Sequence, residues 1–221
     1  MRLHRFYTTE YLTPELLYTH SEHLHQWRNV FRYIAGDSVV LFGDGFEHSY
    51  RIEDIDKKSA TLVEIAKTPS RMQSRECGLA LALIKKDNFE LVLSKCTELG
   101  VTDLYPFISE RSIQKMYGEE RLHKILVEAA EQSGWGRVPT LHSVQKFEDM
   151  VQNNNCVIYD MTGEASTDFD TRIICIGPEG GYSEHELQLA KDFGTKIRKM
   201  GEGILRAETA AIVAASLRLL S

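Results

Sequence analysis

R-I-I-C-I, Arg172 to Ile176, runs straight into Gly177-Pro178-Glu179-Gly180-Gly181, Tyr182 and then S-E-H-E, Ser183 to Glu186. The apolar, β-branched run predicts a buried strand, the Gly-Pro cluster ends it, and Ser183 with Glu186 forms an S-x-x-E capping box that opens a helix. Strand, glycine turn and helix start in that order suit a ligand site. Glycines can take φ > 0 and let a ligand approach the backbone, and open N–H groups at a helix start can hold an acceptor. The carboxyl end of a parallel strand is also where open α/β sheets bind ligands. A tight β-to-α connection that needs glycine for geometry alone has the same local pattern, so both readings stand at this point. The usual phosphate cradles are absent. There is no G-x-x-x-x-G-K-[ST], and Gly201-Glu202-Gly203 is followed by Ile204, Leu205 and Arg206, so G-x-G-x-x-G fails at its last glycine. A second strand, T-K-I-R-K-M from Thr195 to Met200, meets this second glycine loop and then a long apolar helix. Two neighbouring glycine turns are expected to wall one pocket.

Outward from that stretch, strand-like and helix-like segments alternate. C-G-L-A-L-A-L-I (Cys77 to Ile84) precedes a helix from Asn88 closed by Gly100, then V-T-D-L-Y-P-F-I (Val101 to Ile108), a helix over Glu119 to Ser133 ended by Gly134, and a strand from Cys156 to Met161. This order predicts an α/β domain with a buried parallel sheet. The pattern changes near Lys67-Thr68-Pro69-Ser70, where Pro69 favours an extended predecessor. We therefore expect two domains, 1–69 and 70–221. In the first, Asp37 to Gly43, Phe46 to Ile52 and Ala60 to Ile65 read as short strands, with a turn around Asp44-Gly45, and predict a small β-barrel or sandwich. Leu24, Trp27, Val30, Phe31 and Ile34 fall at helical spacing behind a possible cap at Ser21, which predicts an amphipathic helix.

Composition excludes several classes. Of the 221 residues, 26% are charged and 43% hydrophobic, with 15 Gly and 5 Pro and no repeat, as in ordinary folded proteins and unlike collagen, disorder or solenoids. The formal net charge of −6 excludes a general polycation. Gly78 to Ile84, the longest uncharged apolar run, is far shorter than the roughly 20 residues of a bilayer span, so no membrane segment is expected. M-R-L-H-R-F-Y at the start has no apolar signal core behind it, which predicts a cytoplasmic protein. Cys77, Cys96, Cys156 and Cys175 each stand alone in apolar segments, without C-x-x-C or a spaced His, so buried reduced thiols are expected and no metal.

Beyond these patterns, I-G-P-E-G-G-Y-S-E-H-E-L (Ile176 to Leu187) and M-G-E-G-I-L-R-A-E-T-A-A (Met200 to Ala211) resemble the 16S ribosomal RNA uridine-N3 methyltransferases, of the knotted SPOUT class. K-C-T-E-L-G-V (Lys95 to Val101), S-E-R-S (Ser109 to Ser112), E-A-A-E-Q-S-G (Glu128 to Gly134) and the early Arg5-Phe6 match in order. The resemblance implies a C-terminal α/β trefoil-knot domain with a small N-terminal PUA-like β-barrel for RNA, S-adenosylmethionine as cofactor, the small ribosomal subunit as partner, and a homodimer. Cofactor loops are implied near Asp160 to Glu164, Gly177 to Gly181 and Met200 to Arg206. The implied binding residues are Ile176, Gly177, Pro178, Gly180, Gly181, Met200, Gly201, Leu205, Arg206 and Thr209. The sequence departs from the family at two places. Trp135 stands where Arg is common after E-Q-S-G, and the usual V-L-R appears as Val30-Phe31-Arg32.

Methyl transfer to uracil N3 requires positioning, exclusion of water and loss of the N3 proton, with charge spreading onto the flanking carbonyl oxygens. Arg206 is the candidate cation for that charge, although pairing with Glu208 or Glu179 to hold the fold is the competing role. Glu179 and Glu208 are candidate proton acceptors, and the choice between them and water stays open. For RNA, the first 35 residues carry Arg2, Arg5, Arg28 and Arg32 against Glu10, Glu15 and Glu22, with His4, His20, His23 and His25 beside them. Two other classes fit parts of the pattern. One is a non-catalytic RNA-binding protein with a relic knot domain, which intact G-P-E-G-G and L-R-A-E-T-A disfavour. The other is a small-molecule methyltransferase, which the extra β domain disfavours.

Overall fold

In a computed structural model, which describes residues 4–113, 117–153, 156–165 and 171–220, the N-terminal apolar runs pair into one five-stranded sheet. Its strands are β1 (Arg5–Tyr7), β2 (Glu15–Tyr18), β3 (Ser38–Phe42), β4 (Phe46–Ile55) and β5 (Ala60–Pro69), in the order β1-β3-β4-β5-β2. Only β1 and β3 run parallel; the remaining pairs are antiparallel. β1 and β2 are the two edges, and among the described residues nothing closes the sheet into a barrel. Alternation along the strands buries Val39, Leu41, Tyr50, Ile52, Ala60 and Leu62 on one face, where Phe6, Tyr18, Leu24 and Trp27 complete the core. This unit spans 1–72 and takes in 130–137 as well.

The expected amphipathic helix is half regular. Helix α1 (Ser21–His25) is capped by His20, whose side chain accepts from the His23 N–H, rather than by Ser21. It passes into a π-helical turn over Gln26–Val30, and Arg32 then takes φ +58°. Widening the turn shifts every later residue around the axis. Trp27 is fully buried as expected, while Val30 and Ile34 are 63% and 68% exposed, so the apolar face ends earlier than 3.6-residue spacing predicts.

The second unit, 73–129 with 138–221, is the α/β part. Its described elements are β6 (Gly78–Ala82), α2 (Lys86–Leu99), β7 (Asp103–Ile108), α3 (Glu119–Ser133, whose end from residue 130 belongs to the first unit), β8 (Thr140–Leu141), β9 (Gln145–Lys146), α4 (Phe147–Asn153), β10 (Cys156–Ala165), β11 (Ile173–Ile176), α5 (Glu184–Asp192), β12 (Lys196–Lys199) and α6 (Ala207–Leu220). The sheet order is β12-β10-β11-β6-β7-β8, with β9 also on β7, and every pair is parallel. L-A-L-A in β6 shows how both faces fill. Leu79 and Leu81 join the core beneath α2 and α6, whereas Ala80 and Ala82 leave room on the other face for Phe107, Phe147 and Tyr182. α6 meets the sheet with Ala207, Ala210, Ala211, Ala214 and Ala215, small residues that let a helix lie close against β6 and β11.

Candidate active site

β12, β10 and β11 are neighbours running the same way, so their carboxyl ends lie side by side. The segments at and just beyond those ends line one cavity of about 680 Å³: Tyr159, Asp160 and Met161 from β10, Ile176 to Tyr182 after β11, and Lys199 to Gly201 with Gly203 to Ala207 after β12. Lys85 and Asn88 at the start of α2 and Glu208 and Ala210 in α6 complete the wall.

Each loop is shaped by an identifiable local device. In β10 the pairing with β12 skips from Tyr159 to Glu164, so residues 160–163 bow out of the ladder. Asp160 Oδ1 accepts from the Thr162 N–H (2.9 Å) and hydroxyl (2.7 Å), closing an Asx turn there. Gly163 is required, because a Cβ would lie 2.6 Å from Arg198 backbone atoms. After β11, the Pro178 carbonyl accepts the Gly181 N–H at 2.9 Å, and Gly181 takes φ +67°. The capping box forms as the sequence predicts: Ser183 Oγ accepts the Glu186 N–H at 3.0 Å and Glu186 Oε2 accepts the Ser183 N–H at 2.9 Å. Glu186 is buried at 2% exposure and its charge is fully served. Ser109 Oγ donates to Oε2 (3.1 Å) and the Glu110 N–H to Oε1 (3.0 Å). Behind the turn, the Tyr182 hydroxyl donates to Cys175 Sγ, and burial pushes both groups up, so the phenol is a protonated wall rather than an acid.

The three candidate catalytic groups all line the cavity and differ in their ties. Glu179 Oε1 accepts the Lys85 N–H at 3.0 Å; Lys85 is the N-cap of α2 and offers no side-chain cap of its own, so this carboxylate closes the helix start. Arg206 is exposed and forms no ion pair among the described residues, so the competing role of pairing with Glu208 or Glu179 is not what the geometry shows. Glu208 Oε2 is shut off from solvent without a hydrogen-bond partner among the described residues. Gly201 and Gly203 have open space where a Cβ would stand, which leaves their backbone accessible.

Of the residues implied as cofactor-binding, Ile176, Gly177, Pro178, Gly180, Gly181, Met200, Gly201, Leu205 and Arg206 line the cavity. Thr209 does not; it is exposed, on the side of α6 away from the lining. Sequence reasoning missed Lys85, Asn88, Tyr159 and Lys199. The signal for Lys85 and Asn88 was present, since K-K-D-N follows β6 at the same carboxyl edge of the sheet as Gly177.

In the N-terminal unit, Arg2 lies outside the described residues. The Arg5 side chain is 9% exposed, pairs with Glu47 at 2.7 Å and donates to the Ala130 (3.3 Å) and Trp135 (3.0 Å) carbonyls, so it caps the end of α3. Arg28 is half-buried near Asp56, and Arg32 is exposed. Trp135 packs beneath a cation, with the Arg71 guanidinium 4.7 Å above its ring. The cysteines are buried and free, and burial pushes the Cys77 thiol up to about 12. Among the described residues there is no metal-binding cluster, and no helix is long and apolar enough to cross a membrane.

Residues 71–218 match the family model described as an RNA methyltransferase domain. The chain is 35% identical over 214 residues to the ribosomal RNA small subunit methyltransferase E of Rickettsia conorii, covering 90% of this chain and 87% of that one. It is 31% identical to the protein of the same name in Bacillus subtilis, over 88% of this chain and 86% of that one. Among solved structures, it resembles a ribosomal RNA small subunit methyltransferase E from Neisseria gonorrhoeae bound to S-adenosylmethionine (TM-score 0.86, 27% identity, 97% and 96% covered). A Legionella pneumophila structure in complex with the same bound cofactor superposes with a TM-score of 0.89 at 28% identity, covering 99% and 97%.

Proposed function

The chain belongs to the RNA methyltransferase domain family, and on that footing we propose that it methylates N3 of a specific uridine in the 16S ribosomal RNA of the small subunit, using S-adenosylmethionine. The observation that carries the reading is the cavity where three parallel strand ends and two glycine turns converge, in a chain whose relatives share that name over nearly their whole length. The residues present fit this cofactor. The volume lies within the usual range of roughly 300–1,000 Å³ for small-molecule sites. Loop residues between Ile176 and Gly181 and between Met200 and Leu205 line the cavity, and the backbone of Gly181, Gly201 and Gly203 is open to the cofactor's polar edges.

When bound, the cofactor supplies a methyl carbon activated by a sulfonium leaving group. The chain's own work is to exclude water, align the acceptor and move one proton. Arg206, without a carboxylate partner among the described residues, offers its guanidinium to the uracil carbonyl oxygen on which charge grows as N3 loses its proton. Glu208 takes that proton at Oε2. Glu179 holds the turn to the start of α2 through the Lys85 N–H, which makes it an anchor rather than the base. No metal is used.

We further read the second unit as a trefoil-knot domain of the SPOUT class and the first as its PUA-like RNA-binding domain, with the boundary near 69–70. Two copies act as a homodimer in the cytoplasm. The last strand, β12, joins the sheet beside β10 rather than β11, which supports a chain that returns past its earlier loop. Half-buried Arg28 and exposed Arg32 are the candidate phosphate contacts on the first unit. The reading is tested by incubating the protein and labelled S-adenosylmethionine with small subunits from cells lacking the native methylation, and with free uridine. Label in the subunit RNA, falling steeply with salt, and none in free uridine is expected. Label in free uridine alone, or no cofactor binding at all, contradicts the reading.

A further inference from the structure

The S-E-R-S segment, Ser109 to Ser112, lies outside the cavity lining, yet its four side chains all bond to the segment itself, to the turn after β11 or to α5. It is rigid in itself: the Ser109 N–H donates to Ser112 Oγ (3.0 Å), and the Ser112 hydroxyl donates to the Ser109 carbonyl (2.8 Å). On one side it is fixed to α5 by the two hydrogen bonds that Ser109 and Glu110 give to buried Glu186. On the other side Arg111 Nη1 donates to the Gly180 carbonyl (3.0 Å) and the Tyr182 carbonyl (3.2 Å), while its stem lies on Gly180, 3.3 Å from where a Cβ would be. These two carbonyls flank Gly181, the residue at φ +67°. A turn with two successive glycines loses much conformational freedom on ordering. One guanidinium nitrogen bridging both sides of Gly181 holds it in a single form.

We propose that Arg111 is a positioning residue: through the Gly180 and Tyr182 carbonyls it sets the turn that receives the cofactor, without itself touching cofactor or RNA. The proposal rests on the methyltransferase reading for its ligand, and its mechanical half does not. Arg111→Ala leaves a turn that must order on binding, and Arg111→Lys keeps the charge and part of the stem but reaches less far.

The test combines amide hydrogen exchange at Gly181 in the ligand-free protein with calorimetric titration of S-adenosylmethionine, on the wild type and both variants. In Arg111→Ala, exchange at Gly181 should rise about tenfold and cofactor affinity fall about tenfold, the scale of losing hydrogen bonds from a charged donor. Exchange in β11 and the middle of α5 should not change. The KM for cofactor should rise while kcat at saturation stays within about twofold, and Arg111→Lys should fall between. Unchanged exchange and affinity overturn the proposal, as does faster exchange spread equally over β11 and α5, which marks a merely structural role. If the wild type does not bind S-adenosylmethionine, the functional reading falls, and Gly181 exchange alone decides whether Arg111 holds the turn.

Discussion

Replacing Arg206 with alanine separates catalysis from folding with unusual clarity, because the side chain is exposed and pairs with no carboxylate among the described residues. Surface substitutions of that kind alter stability by no more than about 0.5 kcal/mol. Its effect on rate comes from its placement in the cavity wall. A unit charge about 4 Å from a developing oxyanion contributes about 4 kcal/mol at an effective dielectric constant near 20. At about 1.4 kcal/mol per tenfold, that is close to three powers of ten. Exposure to solvent screens the interaction, so the expected loss is about a hundredfold in kcat, the lower end for removing one oxyanion donor. Single-turnover methyl transfer at saturating cofactor, calorimetry with S-adenosylmethionine and thermal unfolding are the three assays. The expected result is a rate lower by about a hundredfold, with cofactor affinity and unfolding temperature near wild type. A normal rate refutes the assignment. So does a loss confined to cofactor affinity, which would make Arg206 a binding residue only.

Three other perturbations have outcomes set by the geometry. Glu208→Gln removes the proposed base but keeps the shape, so kcat should fall by about 10²–10⁴ with the cofactor still bound; a normal rate in steady-state assays shifts the proton to water. Gly163→Ala drives a Cβ to 2.6 Å from the Arg198 backbone, which must move, and should lower stability in urea unfolding by about 1–3 kcal/mol; an unchanged midpoint contradicts the close approach of β10 and β12. His23 Nδ1 shares a hydrogen bond with the Tyr18 hydroxyl (2.6 Å), and burial, then the neighbouring His20, depress its pKa to about 3. It stays neutral in the fold while the unfolded chain binds its proton below about 6.5. The stability tied to it is therefore complete above that pH and is lost as pH falls toward 3, by about 1.4 kcal/mol per pH unit. Unfolding of the wild type between about pH 6.5 and 5 should show that slope, and His23→Gln, which cannot ionise, should lack it; equal slopes refute the assignment.

The parallel α/β sheet was legible because its strands are continuous apolar runs separated by well-capped helices, as with Gly100 closing α2 at φ +99° and Ser183 with Glu186 opening α5. β1 and β2 were not legible. Three and four residues are too few to show alternation, and their partners β3 and β5 lie tens of residues away. The π-helical turn was hidden for a related reason: nothing local in Gln26–Val30 signals an added residue per turn, so Val30 and Ile34 were placed inward and are exposed. In the candidate site, glycine turns could be read from sequence because glycine is required where backbone must bend or approach closely. The K-K-D-N run marks a strand's carboxyl end, and the strand order, which places β6 beside β11, brings Lys85 and Asn88 to the cavity. Arg5 shows the converse limit. Its charge suggested RNA, and the fold shows a tie that the charge could not: it caps carbonyls at the end of α3, a partnership between residues about 125 positions apart in the chain.

The measurement closest to the central claim is the identity of the modified nucleoside. Small subunits lacking their native methylation are treated with the protein and S-adenosylmethionine, the 16S RNA is digested to nucleosides, and the products are resolved by chromatography and mass spectrometry. The account predicts 3-methyluridine, absent from samples treated with Arg206→Ala over the same short interval. A methyl group on C5, on the ribose or on another base, or no methylated nucleoside from a protein that binds the cofactor, would contradict it.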